Sequence, residues 1–186
     1  MSANARETLI DVTQDLLWER GYAATSPRAI LDRAGVGQGS MYHHFSGKEA
    51  LAVAAFERSA SATFATAAAV LNGPGSAVER IGGYLRLQRE VLRGCPIGRM
   101  AADTDVLESA ALQTLLAGTF DRIRDLLVEV LADGVERGEL RPGTVPGELA
   151  DTVLAVVQGG YVLARAAGDP APFERATRGA LALLEA

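Results

Sequence analysis

The sequence predicts an all-α protein of about nine helices, and three observations predict it. Apolar residues recur at three- and four-residue spacing along almost the whole chain, as in Leu112, Leu115, Leu116 and Phe120. Helix starts and stops are written into the sequence, with Ser26-Pro27 and Ser76-x-x-Glu79 as openings and Gly21, Gly35 and Gly138 as terminations. No stretch reads as a strand, and no repeat of solenoid period or low-complexity segment breaks the pattern.

The first helix spans about Asn4 to Arg20, with Leu9, Ile10, Val12, Leu16, Leu17 and Trp18 apolar and Gly21 as its stop. Its acids, Glu7, Asp11, Asp15 and Glu19, recur every fourth residue, so they share one face and repel phosphate. That face must point away from any nucleic acid. The second helix opens at Ser26, a side-chain cap, with Pro27 in its first turn; Ala29, Ile30, Leu31 and Ala34 form its apolar side.

Gly35 stops the second helix, and Gly35-Val36-Gly37 has the length and composition of a tight turn between two helices. From Gln38 to Phe45 the chain offers Gln38, Gly39, Ser40, Tyr42 and His43 on one side, with Met41 and Phe45 to anchor the other. Such a helix can lie in a groove, which makes the unit a helix-turn-helix; the plain alternative is an α-hairpin inside a helical protein. Gly35-x-Gly37-x-Gly39 echoes a dinucleotide-binding loop, but that loop needs a preceding strand and the preceding segment is helical.

Ser46 and Glu49 have capping-box spacing and open a long helix through Leu51, Val53, Phe56 and Phe64 to about Leu71. After the break at Asn72-Gly73-Pro74-Gly75, Ser76 and Glu79 open another helix, with Val78, Ile81, Leu85 and Leu92 on one stripe. Gln88 falls on the same stripe, so it is either satisfied internally or lines a cavity. A punctuated segment, Gly94 to Gly98, leads to a short helical piece near Arg99 to Ala102, and a long helix is expected from about Val106 to Arg137.

The next helix, about Pro146 to Ala167, is apolar on all sides between Val153 and Ala164 except at Gln158. A helix apolar all round is buried all round. Twelve residues are too few to cross a bilayer, so a subunit interface is expected, formed by Val153, Val157, Gly160 and Leu163 with Leu181 and Leu184 of the last helix. The expected domains are residues 1-47, a helix-turn-helix unit, and residues 48-186, a larger helical body for ligand binding and dimerisation.

At 186 residues, with 48% hydrophobic and 22% charged side chains, the chain has an ordinary folded composition. It carries no basic-then-apolar leader and no apolar run of the roughly 18 residues a membrane span requires, and a cytoplasmic location is expected. The lone Cys95 agrees with a reducing compartment. The net charge of −5 argues against non-specific coating of nucleic acid but leaves room for a site-specific reader. Residues 1–50 hold five cations against six acids, so the candidate reader is not basic. Chemistry has little to work with: the only histidines, His43 and His44, are adjacent, and Asp103-x-Asp105 alone is a weak metal pattern. No enzyme, cofactor or metal site is expected.

With these residues in place, the chain resembles the TetR-type transcriptional regulators. The resemblance rests on Gly21-Tyr22-Ala23-Ala24-Thr25-Ser26, on Ile30 through Val36, and above all on Gly39-Ser40-Met41-Tyr42-His43-His44-Phe45 followed by Lys48-Glu49-Ala50-Leu51. Gly94-Cys95-Pro96-Ile97-Gly98 is similar to the LmrA/YxaF-like subgroup. The family implies a homodimer on a palindromic double-stranded DNA operator, with recognition helices entering major grooves about 34–36 Å apart, and release by a small effector. Where the family often has serine then lysine before the glycine, this chain has Gly37 and Gln38, which removes a cap and a charge.

The DNA-binding candidates are Thr25, Ser26, Arg28, Gln38, Gly39, Ser40, Tyr42, His43 and Lys48. Arg28 and Lys48 each sit in the first turn of a helix, where its dipole disfavours cations and a phosphate would resolve the conflict; solvent exposure is the simpler resolution. Tyr42, Ser40 and Thr25 offer hydroxyls to phosphate, and Gln38 and His43 are candidates for base edges. Tyr84, Gln88, Met100, Phe120, Gln158 and Tyr161 are the candidates for a cavity that takes a small hydrophobic or aromatic effector. Two alternatives stand beside the ligand-released repressor: a helical small-molecule carrier, and a redox-responsive regulator that uses Cys95.

Overall fold

The computed structural model describes residues 2–185, with side chains described for residues 5–184. Its described residues form nine α-helices: α1 (Ser2–Arg20), α2 (Pro27–Ala34), α3 (Gln38–His44), α4 (Lys48–Leu71), α5 (Ala77–Leu85), α6 (Thr104–Glu108), α7 (Ala110–Glu136), α8 (Pro146–Ala167) and α9 (Ala171–Glu185). A short 3-10 helix spans Gly98–Ala102. No described helix is long and apolar enough to cross a membrane.

The chain divides into two compact units, residues 1–62 with 96–119, and residues 63–95 with 120–186. The boundary expected after Gly47 is therefore not a boundary between compact units. The reason is visible in α4: Arg58 pairs with Asp11 and Glu7 of α1, Ser59 accepts from Gln14, and Leu51, Ala55 and Phe56 are buried. The acidic face of α1 is thus occupied by α4 and by Arg33 of α2, which meets Glu19 at 2.8 Å.

In the first unit, Leu9, Ile10, Leu16, Leu17, Ile30, Met41 and Phe45 supply the core around α1 to α3. Ser26 caps α2 by accepting from the Ala29 amide, and Gly35 ends it at φ 64°, a left-handed conformation that glycine adopts without strain. The capping box expected at Ser46 and Glu49 is not formed; the Glu49 carboxylate accepts instead from the Ser109 hydroxyl. Ser109 also divides the long helix expected from Val106, because its extended backbone ends α6 and its oxygen accepts from Leu112 in the first turn of α7.

In the second unit, Ser76 and Glu79 form the reciprocal capping box at the start of α5. The helix stops at Leu85, earlier than its apolar stripe suggests. Arg89 folds back and donates to the carbonyl oxygens of Tyr84, Leu85 and Leu87, satisfying carbonyls that a continuing helix would have used. Leu92 and Gln88 consequently lie outside α5, and Gln88 is exposed. Helices α8 and α9 pack together through Gly160, where a Cβ would stand 2.8 Å from the Phe173 ring, and Tyr161 lies 4.9 Å from that ring.

Candidate functional site

Helix α3 divides sharply between a core side and an outer side. Met41 is fully buried, while Gln38, Gly39 and His43 are exposed and Tyr42 is 53% exposed. Gly37 and Gly39 have nothing within 4 Å of an added Cβ, so their small size serves the outside of the protein and not its packing. His44 is half-buried and stacks edge-on between His43 and Phe45, a packing role. Gly37 stands at the cap position with no side chain to offer, leaving amides at the start of α3 uncapped by side chains.

Around α3, Ser26 and Arg28 lie at the start of α2; the Arg28 side chain is 92% exposed and meets Asp32 only at 3.7 Å. Ser40 is half-buried. Thr25 is not at the surface and cannot meet phosphate. It is fully buried, and its hydroxyl donates to the Gly21 carbonyl at 2.6 Å, which fixes the turn between α1 and α2.

Lys48 has an internal partner that its sequence position does not reveal. Its Nζ stands 3.9 Å from the centre of the Tyr22 ring. Burial lowers the pKa of its ammonium, opposed by Asp105 and Asp103, while burial and the nearby Glu49 raise that of the Tyr22 phenol. The ring face accounts for a cation in the first turn of α4 without any phosphate. Next to this pair, Asp103 accepts from the Ala23 amide at 2.9 Å through one oxygen and caps α6 through the other.

Among the effector candidates, Met100 is fully buried in the first unit, and Phe120 and Gln158 are half-buried on α7 and α8 of the second. Only Gln88 lines the cavity of about 790 Å3 in the second unit, which runs between residues 85–93 and residues 170–181. Tyr84 and Tyr161 are buried with Cys95; burial raises both phenols, with Arg89 lowering them and Cys95 adding to the rise. Arg89 and Phe173 were missed by sequence reasoning because Arg89 enters the site only by folding back on the end of α5.

The interface candidates differ in burial. Val153, Val157 and Gly160 are buried within the second unit, and Leu181 lies 3.1 Å from where a Gly82 Cβ would stand, facing α5. Val153, Gly160, Leu163, which is 57% exposed, and Leu184 line one groove with Val156, Gly159, Ala180 and Leu183, the last 70% exposed. A helix apolar all round is here buried on one face only, since α9 covers that face.

No group of three or more potential metal ligands occurs among the described residues. A family model described as "Bacterial regulatory proteins, tetR family" matches residues 9–55, and one described as "Tetracyclin repressor-like, C-terminal domain" matches residues 76–180. The HTH-type transcriptional repressor DhaR of Mycobacterium sp. (strain GP1) is 29% identical over 157 residues, 83% of this chain and 79% of that one. A TetR transcriptional regulator from Chloroflexus aurantiacus J-10-fl superimposes with a TM-score of 0.88 at 28% identity, covering 97% of this chain and 94% of its own. A cysteine mutant of the TetR family regulator CifR, solved with 26-bp double-strand operator DNA, gives 0.81 at 26% identity, with 94% of each chain covered.

Proposed function

The chain belongs to the TetR family of bacterial transcriptional regulators, not to an enzyme family, and from that membership we propose that it is a repressor that binds a palindromic operator as a homodimer and leaves it on binding a small molecule. The observation that carries the reading is α3, whose one buried anchor, Met41, holds Gln38, Gly39, Tyr42 and His43 outward. The DNA-bound CifR regulator and the repressor DhaR support it by similarity.

In this reading α3 lies in the major groove. Gln38 pairs with a base edge, glutamine being suited to adenine, and His43 reads a second position. Gly39 lets the backbone approach closely. Tyr42, Ser40, Ser26 and Arg28 meet phosphates, with the uncapped amides at the start of α3 as further donors. Lys48 contributes at most a shared charge, since its ammonium is stacked on Tyr22. One copy makes few ionic contacts, so useful affinity depends on two copies meeting through Val156, Gly159, Leu163, Gly179 and Leu183. The exposed glycines Gly159 and Gly179, with open space around them, suit close helix approach.

Binding of purified protein to its own promoter region, by footprinting, tests the reading. A protected, roughly palindromic segment supports it. Equal binding to all DNA, or none, would sink it.

A further inference from the structure

We propose that the cavity of the second unit takes an amphipathic anion, an apolar chain or ring ending in one carboxylate or phosphate, with its charged end held by Arg89, Arg86 and Arg178. This rests on the reading of the second unit as the effector-binding body, and it narrows the effector's chemistry.

The cavity of about 790 Å3 has an apolar wall of Leu85, Leu87, Leu92, Phe173 and Leu181. Its charge is opposite to that of the chain as a whole: four arginines line it against two glutamates, in a protein of net charge −5. Arg93 is accounted for by Glu90, at 3.9 Å. Arg86 and Arg178 are exposed and pair with no described carboxylate.

Arg89 decides between a neutral ligand and an anion. It is half-buried, with its guanidinium 5.2 Å from the Tyr84 ring centre and 5.7 Å from that of Phe173. Its guanidinium donates to the backbone carbonyls of Tyr84, Leu85 and Leu87, and among the described residues no carboxylate pairs with it. Carbonyl dipoles and ring faces ease a half-buried cation without neutralising it. A neutral apolar molecule filling the cavity would strip water from that charge and return nothing. An anion would compensate it through charge-assisted hydrogen bonds while its apolar part covers the leucines.

The test compares octanoate, octyl phosphate and 1-octanol, which share an apolar chain and differ in the head group, by calorimetric titration of the full chain. The expected result is that at least one anion binds about ten-fold or more tightly than the alcohol, that added salt weakens it, and that the Arg86→Gln/Arg178→Gln double variant loses about ten-fold. Both positions are exposed, so the double variant keeps its fold; Arg89→Gln is measured alongside after its helicity is checked. Comparison of the two anions distinguishes a carboxylate from a phosphate source. Equal binding of acid and alcohol, unchanged binding in the double variant, or no binding of any of the three at millimolar concentration overturns the proposal. Operator release is read separately: an anion that binds by this pattern without displacing DNA supports the cavity chemistry and overturns the effector reading instead.

Discussion

The Lys48 ammonium sits 3.9 Å from the centre of the Tyr22 ring, joining the start of α4 to the loop that positions α2. The pair predicts coupling. In a double-mutant cycle with Tyr22→Leu and Lys48→Met, followed by denaturant unfolding, the coupling is expected to be about 0.5–1 kcal/mol. Additive effects of the two substitutions would leave the contact without energetic content.

Asp103 predicts a local effect. Its carboxylate receives the Ala23 amide at 2.9 Å and caps α6, and it also stands 2.8 Å from where a Gly21 Cβ would lie. Asp103→Ala is expected to cost about 1 kcal/mol as a lost cap and to raise hydrogen exchange at the Ala23 amide. Gly21→Ala meets both that oxygen and a φ of 84°, so it should destabilise by at least about 1 kcal/mol. Unchanged exchange at Ala23 would show that the Asp103 contact does not hold the loop.

Much of this was legible in the sequence, for physical reasons that differ from element to element. The bounds of α2 and the outward set on α3 follow from local chemistry: a serine cap, a first-turn proline, a glycine stop and one buried methionine. The capping box at Ser76 was equally local. At Ser46 the same spacing misled, because Glu49 is drawn away by Ser109, sixty residues on. Thr25 carried a hydroxyl suited to phosphate, and only the fold reveals that the hydroxyl turns inward to Gly21. Val157 and Leu163 are alike in sequence, and the position of α9 alone decides that one is core and the other surface. The cavity was illegible because Arg89 defines it by ending α5 through three backbone carbonyls.

The exposed face of α8 and α9 predicts the effect of charge on assembly. Leu163→Glu with Leu183→Glu is expected to turn a dimer into a folded monomer, read by light scattering and circular dichroism. Val157→Ala, in the core, should leave assembly intact and cost roughly 2 kcal/mol of stability. A dimer that survives both glutamates would place the interface elsewhere.

Acid should loosen the fold through groups whose pKa values are depressed. Glu7 is held low by hydrogen bonding to Arg58, Glu79 by the Ser76 amide and Asp151 by Arg124, from ordinary values of 4.5, 4.5 and 3.8. A carboxylate with a lowered folded pKa stabilises fully above its unfolded value, and that contribution is lost as pH falls through the folded one. Melting temperature should therefore be level near neutrality and fall below about pH 4.5, with the gap between native and Asp151→Asn protein closing as the solution is acidified. A gap that stays constant down to strongly acid pH would contradict the Arg124 assignment.

If α3, paired across a dimer, reads a specific operator, selection from randomised duplex DNA with the full chain will reveal it. The expected outcome is an enriched palindrome with half-site centres about one helical turn apart, 34–36 Å. Gln38→Ala should change preference at a few positions, and Tyr42→Ala should weaken binding to every selected sequence alike. Failure to enrich any sequence, or enrichment of a lone unrepeated site whose profile Gln38→Ala leaves unchanged, would contradict it.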